Sequence, residues 1–174
     1  KILKAMAAYS GFPEEAYDEV FIILDKMDKI GLEGVEEELV KAGYEKEKAE
    51  KYLELYREVT PDLAGIRYLK EKLTGFLDPK CAEDLETIIT SVEAVKTADF
   101  KLVFDPTLVR GMSYYTGPIF EISIDGFGGS VGGGGRYDEM IGRFTGQNTP
   151  ACGFSVGFER IVMLLLEKDH QIPS

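Results

Sequence analysis

Four consecutive glycines at residues 132–135, within "GGSVGGGGRYD", constrain the fold more than any other stretch of the sequence. Each glycine costs roughly 0.5–1 kcal/mol relative to alanine inside a regular element, because its unfolded backbone has more freedom to lose. The run therefore needs a reason. A flat ligand that lies against bare backbone is one reason, and a mobile hairpin loop is the other interpretation that the residues leave open.

The residues on both sides of the glycine run predict antiparallel strands. The stretches "FKLVFD" (100–105) and "GPIFEISI" (117–124) are rich in β-branched and aromatic residues, and Asp125-Gly126 supplies a turn. The glycine run then returns as the partner strand. Further on, "GFSVGFERIVMLLLEK" predicts a short strand followed by a helix from about Phe158 to Glu167.

The first hundred residues have a different character. They hold 23 of the 31 acidic residues but only 6 of the 19 glycines, and their apolar residues recur at three- and four-residue steps. Several helices are expected, separated at Gly31, Gly43 and Gly75, with Pro13 at a first helical position. We therefore predict an α+β fold, with a helical domain at 1–76 followed by a helix and antiparallel strands at 77–174.

Composition excludes several classes of protein. No apolar run approaches the roughly 20 residues of a membrane helix, and the net charge of −11 is best explained by solvated helix faces. Cys81 and Cys152 are interpreted as buried, reduced thiols of a cytoplasmic protein. No metal site is expected, because His170 has no acidic or thiol partner at ligand spacing.

Arg110 is an unusual residue for a strand-like run, and it is followed closely by Tyr114 and Tyr115. A guanidinium cannot be neutralised by burial, so it must meet an anion or reach solvent. Successive side chains of a regular strand point to opposite faces, so at most one of the two tyrosines shares a face with the arginine. An arginine on an edge strand that reaches water remains the alternative.

Arg160 falls in the first turn of the last predicted helix, where the helix macrodipole disfavours a cation unless an anion lies nearby. Arg160 could therefore bind a phosphate, and local pairing to Glu159 or Asp138 is an equally open alternative. The glycine run itself lacks the Lys-Ser/Thr ending of a phosphate-binding loop and precedes no nucleotide-binding crossover.

Three runs in this order resemble motifs of the histidyl-tRNA synthetases, a family of class II aminoacyl-tRNA synthetases. The stretch "LVRGMSYYTGPIFE" is similar to the first histidine-specific motif, "GGGGRYDEMIG" to the second, and "GFSVGFERI" to class II motif three. The helical first part, including "DKMDKIGLEGVEEEL", resembles the insertion domain of this family. The resemblance implies that residues 77–174 are the second half of the catalytic core.

The resemblance also implies roles for individual residues. Arg110 would be catalytic, contacting the α-phosphate where histidine attacks ATP, and would help to bind histidine. The remaining histidine-binding residues would be Tyr114, Tyr115 and Tyr137, with Gly133, Gly134 and Gly135 as the floor of the pocket, and the ATP-binding residues would be Gly157 and Arg160. ATP would be a substrate that carries Mg²⁺, and no tightly bound cofactor is implied.

The sequence departs from the family pattern in three ways. Met112-Ser113 stands where many members carry Leu-Asp, neither class II motif one nor motif two is found, and no anticodon-binding domain follows. We expect a piece of a longer, homodimeric and cytoplasmic histidine–tRNA ligase, inactive by itself, whose partners are histidine, ATP and tRNA(His). The alternative is the synthetase-like regulatory subunit of ATP phosphoribosyltransferase, which binds histidine without charging tRNA.

Overall fold

The computed structural model describes residues 1–108, 115–147 and 149–167. The chain divides into two compact units, Lys1–Val109 and Arg110–Ser174, which we call the helical unit and the sheet unit. Helices followed by a small antiparallel sheet confirm the predicted α+β class. The prediction that an insertion domain ends at residue 76 concerns the architecture of a family and stays a prediction.

The helical unit contains six described α-helices, several of which begin or end at the residues that the sequence singles out. Asp62 and Asp78 cap two of them by accepting hydrogen bonds from backbone N–H groups. Pro13 lies one residue before a short 3₁₀ turn rather than inside an α-helix. The helices are α1 (Ile2–Ser10), α2 (Tyr17–Leu24), α3 (Met27–Lys41), α4 (Lys46–Glu58), α5 (Leu63–Lys72) and α6 (Pro79–Val95).

The core of the helical unit includes residues from α1, α3 and α4. Met6, Leu39 and Leu53 are fully buried there, and the ring of Tyr52 lies edge-to-face with that of Phe12 at a centroid distance of 5.5 Å. One glycine shapes this unit in particular. Gly31 has φ 69° and ψ 175°, a conformation that only glycine adopts readily, and it introduces a kink within α3.

In its described residues, the sheet unit contains three antiparallel strands in the order β1-β2-β3 and two helices. The glycine run lies inside the central strand, so the hairpin-loop interpretation is wrong. The turn at Asp125-Gly126 is confirmed, with Gly126 at φ 81°, and the last helix has its predicted bounds. The elements are β1 (Ile119–Ser123), β2 (Ser130–Arg136), α7 (Asp138–Thr145), β3 (Cys152–Val156) and α8 (Phe158–Glu167).

The strand predicted at residues 100–105 is wrong. These residues form irregular backbone within the helical unit, where Phe104 is buried and its N–H donates to the Pro61 carbonyl at 3.0 Å. The segment thus buries an aromatic ring against helices instead of pairing in a ladder. Its apolar composition is equally suited to either environment, which explains the wrong prediction.

The structure also bears on the two cysteines and on the length and apolar character of the helices. Cys81 and Cys152 are free thiols as predicted, but Cys152 is exposed and Cys81 is only half-buried, so the expectation that both are buried is wrong. Among the described residues, no helix combines the length and the apolar character needed to cross a membrane.

Candidate ligand site on the glycine-rich strand

One face of the sheet presents bare backbone between two polar side chains. In the antiparallel register, Gly133 lies opposite Glu121 of β1 and opposite Ser155 of β3. Residues directly paired across antiparallel strands project to the same side of the sheet, and the Glu121 Cβ is 3.9 Å from the position that a Cβ on Gly133 would take. Glu121 and Ser155 therefore flank an open strip of glycine backbone.

Two tyrosines lie on the same bare backbone at one end of this strip. A Cβ added to Gly135 would lie 2.8 Å from Cδ1 of Tyr115, and a Cβ added to Gly153 would lie 2.7 Å from the Tyr137 hydroxyl oxygen. Gly135 and Gly153 are themselves paired across β2 and β3. Both phenol groups can approach this end of the face because neither position carries a side chain.

The opposite face of the sheet has a different role. Phe120 and Phe154 both pair with Gly134 and stack above it, with ring centroids 5.8 Å apart and an interplanar angle of 19°. A Cβ on Gly134 would also overlap the carbonyl oxygen of Gly153. Gly134 is therefore required by close strand and ring packing, whatever binds on the polar face.

Arg160 lies in the first turn of α8, as predicted, and its guanidinium Nη1 donates a hydrogen bond to the Ser130 carbonyl. The junction between β3 and α8 is tight. The Gly157 N–H donates to the Val131 carbonyl at 2.8 Å, and a Cβ on Gly157 would lie only 3.1 Å from that oxygen. The glycine thus lets the helix begin beside the central strand, where it positions the arginine at the edge of the polar face.

Asp138 does not pair with Arg160. Its Oδ2 accepts from Nε of Arg136 at 2.7 Å, and its Oδ1 accepts from the Ala151 N–H at 2.8 Å. The Ala151 hydrogen bond, followed by the arginine, holds the pKa of the Asp138 carboxyl below its usual value. These contacts join the end of β2 to the segment that leads into β3, and they fix the backbone next to Tyr137. The local-pairing alternative with Asp138 is therefore wrong.

These groups share one open cleft of about 260 Å³ within the sheet unit, lined by Tyr115, Glu121, Ser155, Gly157 and Arg160 together with the glycine strand. Ser130, beside the guanidinium, and Gly135, beside Tyr115, are five residues apart, or about 17 Å along an extended strand. The cleft therefore offers a cation at one end, the phenol of Tyr115 at the other and a carboxylate between them. Such a surface suits an elongated ligand with an anionic end and a polar ring.

The structure brings together only part of the predicted site. Gly133, Gly135, Tyr115, Tyr137, Gly157 and Arg160 lie on or beside the glycine strand. Arg110 and Tyr114 lie outside the described residues, so their roles stay predictions. Glu121 and Ser155 were not predicted. Once the strand register is known, taking every second residue from a paired position shows that both lie on the polar face. The sequence alone does not provide that register.

Comparisons with known proteins identify the family. A family model described as Histidyl-tRNA synthetase matches residues 1–161. The histidine–tRNA ligase of Leifsonia xyli is 44% identical over 178 residues, covering 95% of this chain and 39% of that protein. The cytoplasmic histidine–tRNA ligase of Arabidopsis thaliana is 36% identical, covering 98% of this chain and 20% of that protein.

A solved structure matches as well. The crystal structure of histidyl-tRNA synthetase from Nostoc sp. matches with a TM-score of 0.81 and 29% identity, covering 98% of this chain and 41% of that chain. The helices and the three-stranded sheet with its following helix thus have the fold of class II aminoacyl-tRNA synthetases. Within that class, the chain belongs to the histidyl-tRNA synthetase family. It spans less than half the length of each of these relatives.

Proposed function

We propose that this chain forms part of a histidine–tRNA ligase, which activates histidine with ATP and then transfers histidine to tRNA(His). The observation that supports this most strongly is the cleft on the glycine strand. The cleft has Tyr115 at one end and Arg160 at the other, and Tyr137 lies on the same face of the sheet, next to Gly153, in a chain that belongs to the family. A site for histidine and ATP requires hydrogen-bonding groups for the imidazole ring and, beside them, a cation for the phosphates.

The proposed roles follow from the chemistry of each group. The phenols at one end hydrogen-bond the imidazole, and a pocket with such buried polar partners rejects side chains that leave them unpaired, at a cost of about 1–3 kcal/mol for each group. The guanidinium of Arg160 binds the γ-phosphate through charge-assisted hydrogen bonds. Gly133 and Gly135 leave room for the ligand to lie on the backbone.

Adenylate formation is then a displacement at the α-phosphorus. A carboxylate oxygen of histidine attacks, the bond to the bridging oxygen breaks, and pyrophosphate leaves with its negative charge. Arg110 is proposed to stabilise the charge on the α-phosphate during this step. In the second step a ribose hydroxyl of tRNA attacks the histidyl carbonyl, loses its proton and displaces AMP.

Mg²⁺ is proposed to enter with ATP, bound to its phosphates. The hard oxygen donors of Glu121 and Ser155 in the cleft are of the type that this ion accepts. We further propose that the longer protein is a cytoplasmic homodimer. We also propose that the 174 residues alone neither activate histidine nor charge tRNA, because class II motif two, which supplies another ATP-binding arginine in the family, is not found in them.

Aminoacylation of tRNA(His) by the longer protein tests this proposal against the regulatory alternative. A histidine–tRNA ligase forms histidyl-tRNA in the presence of ATP, whereas a regulatory subunit binds histidine but yields no charged tRNA. The isolated 174-residue chain is assayed in parallel for histidine-dependent exchange of pyrophosphate into ATP. Exchange by that chain would contradict the proposed inactivity, and failure of the longer protein to charge tRNA would contradict the proposed function.

A further inference from the structure

A second cavity, of about 380 Å³, lies within the helical unit. Its walls come from the kink of α3 at Gly31, from the C-terminal end of α4 with the turn that follows it, and from the irregular segment at 103–107. We call it the kink cavity. None of its lining residues belongs to the cleft on the glycine strand, and its volume is within the range of roughly 300–1,000 Å³ that is usual for small-molecule sites.

The lining of the kink cavity is mainly apolar. Its thioether, aliphatic and aromatic groups are Met27 and Leu32 of α3, Tyr56 of α4 and the buried ring of Phe104. A Cβ added to Gly31 would meet no atom within 4 Å, so the backbone leaves space open at the kink. An apolar ligand body is favoured here, because its burial removes apolar surface of both partners from water.

Asp105 is the only residue with a formal charge among the described residues that line the kink cavity. Its Oδ1 accepts hydrogen bonds from the N–H and the hydroxyl of Thr107, at 2.8 and 2.6 Å. These two bonds hold the carboxylate in one orientation, and its second oxygen, Oδ2, accepts none from the described residues. The described part of the lining therefore offers an oriented anionic acceptor and no cation.

The Tyr56 hydroxyl is a second acceptor near this carboxylate. It donates its proton to the Tyr52 hydroxyl oxygen at 3.2 Å, so its own oxygen keeps lone pairs for another donor. Burial first, then the Tyr52 phenol and the Asp105 carboxylate, raise the pKa of Tyr56 well above its usual value. The phenol is therefore uncharged near neutral pH, and it can accept a hydrogen bond from a cation.

We propose that the kink cavity is a binding site for a small hydrophobic amine, whose ammonium group binds Asp105 and whose apolar body lies against Met27 and Phe104. An ammonium group has three N–H donors and no acceptor, which matches a lining that offers the Asp105 Oδ2 and the Tyr56 oxygen. Carboxylates and phosphates do not suit this site, since the described lining residues present no cation to pair with them. The proposal is independent of the proposed function, which concerns the cleft of the sheet unit.

Titration of the longer protein with 2-phenylethylamine tests the proposal. The protein carries ¹³C-labelled methionine methyl groups, so NMR locates the bound probe and gives its affinity. The Met27 signal, identified by its loss in Met27→Leu, reports on the kink cavity. The Met163 signal, identified in the same way, reports on an exposed position of α8. We expect a saturable shift of the Met27 signal and no shift of the Met163 signal.

Two changes test the role of charge in this binding. Asp105→Asn keeps the shape of the side chain and an acceptor for Thr107 but removes the negative charge, whereas 2-phenylethanol keeps the size of the probe but removes the positive charge. Each change should weaken binding at least about tenfold, because it removes a charge-assisted hydrogen bond. Asp99→Asn is the matched control and should leave the affinity unchanged, since Asp99 is an exposed carboxylate that does not line the cavity. Thermal unfolding checks that both variants remain folded.

Each of three results would overturn the proposal. The Met27 signal might not shift at any soluble concentration of 2-phenylethylamine, which would mean that the probe does not enter the cavity. Equal shifts at Met27 and Met163 would show unspecific binding. An affinity that is the same within twofold in Asp105→Asn, or the same for 2-phenylethanol, would show that the carboxylate does not bind the amine. The proposed function would stand in all three cases, because it is tested by aminoacylation.

Discussion

The ring of Tyr115 lies directly against the bare backbone of Gly135. A Cβ at position 135 would be 2.8 Å from Cδ1 of the ring and 2.7 Å from the Pro118 carbonyl oxygen, both shorter than ordinary van der Waals contact. The ring of Tyr115 can therefore take its position in the cleft only because residue 135 has no side chain. This contact gives at least one of the four glycines a reason that concerns the site as well as the strand pairing.

Replacing Gly135 with alanine should therefore impair histidine binding. The added methyl group must displace either the ring or the β1–β2 pairing, and we expect the affinity for histidine to fall at least tenfold. Calorimetry on the longer protein measures this loss. Gly128→Ala is the control, because a Cβ there meets no atom within 4 Å and the residue has ordinary φ; equal affinities in the two variants would show that the contact is irrelevant.

Replacing Arg160 with alanine should weaken ATP binding more than histidine binding. Hydrogen bonds to charged groups contribute about 1.5–3 kcal/mol, so the KM for ATP should rise roughly 10- to 100-fold while that for histidine changes by less than about threefold. Pyrophosphate exchange at varied ATP provides the measurement. Arg143→Ala, which removes an exposed cation from the last turn of α7, should leave both constants unchanged, and a similar effect of both substitutions would indicate a general loss of positive charge.

Asp138 should make the stability of the sheet unit sensitive to acid. Its pKa is lowered in the folded state, chiefly by the Ala151 N–H. Its charged form therefore stabilises the fold above the unfolded pKa of about 3.9, and this contribution is lost as the pH falls through the folded pKa. Thermal unfolding of Asp138→Asn should show a lower Tm than the parent near neutral pH.

That difference in Tm should shrink as the pH falls below about 3.9 and vanish under the folded pKa. Glu167→Gln serves as the control for removal of one exposed carboxylate. A constant difference between Asp138→Asn and the parent across the whole range would mean that the charge of Asp138 has no part in stability.

The stability of the helical unit should depend strongly on the buried residues of α3. Leu39 is fully buried, whereas its neighbour Val40 is 42% exposed. Leu39→Ala should lower the free energy of unfolding by about 2–5 kcal/mol through lost burial and the cavity left behind, and Val40→Ala by less than about 0.5 kcal/mol. Urea unfolding followed by far-UV circular dichroism measures both, and comparable losses would place the core elsewhere.

Much of this fold could be predicted because local signals and tertiary structure agree. The three- and four-residue periodicity identified the helices around Tyr52 and Ile66, and the turn residues Asp125-Gly126 located the β1–β2 hairpin. Helix α7 was not predicted. Its apolar positions are few and its start follows Tyr137 without a capping side chain, so neither periodicity nor a cap marked it.

The site was harder to predict, for a geometric reason. Motif resemblance predicts roles for Tyr115, Tyr137 and Arg160, but which face of the sheet a residue occupies depends on the strand register. A one-residue shift moves every side chain to the other side. The same register shows that Gly134 belongs with Phe120 and Phe154, while Glu121 and Ser155 belong to the polar face. The glycine run thus meets two requirements, close packing on one face and an open backbone on the other, and the sequence does not distinguish them.

The most direct measurement of the central claim is amino-acid-dependent exchange of pyrophosphate into ATP by the longer protein, with each of the twenty amino acids in turn. We predict that histidine alone supports exchange, and that Arg110→Ala lowers the rate by at least about 100-fold without changing thermal unfolding, as expected for loss of a group that stabilises charge in the reaction. Exchange with another amino acid at a comparable rate, or an undiminished rate in Arg110→Ala, would contradict it.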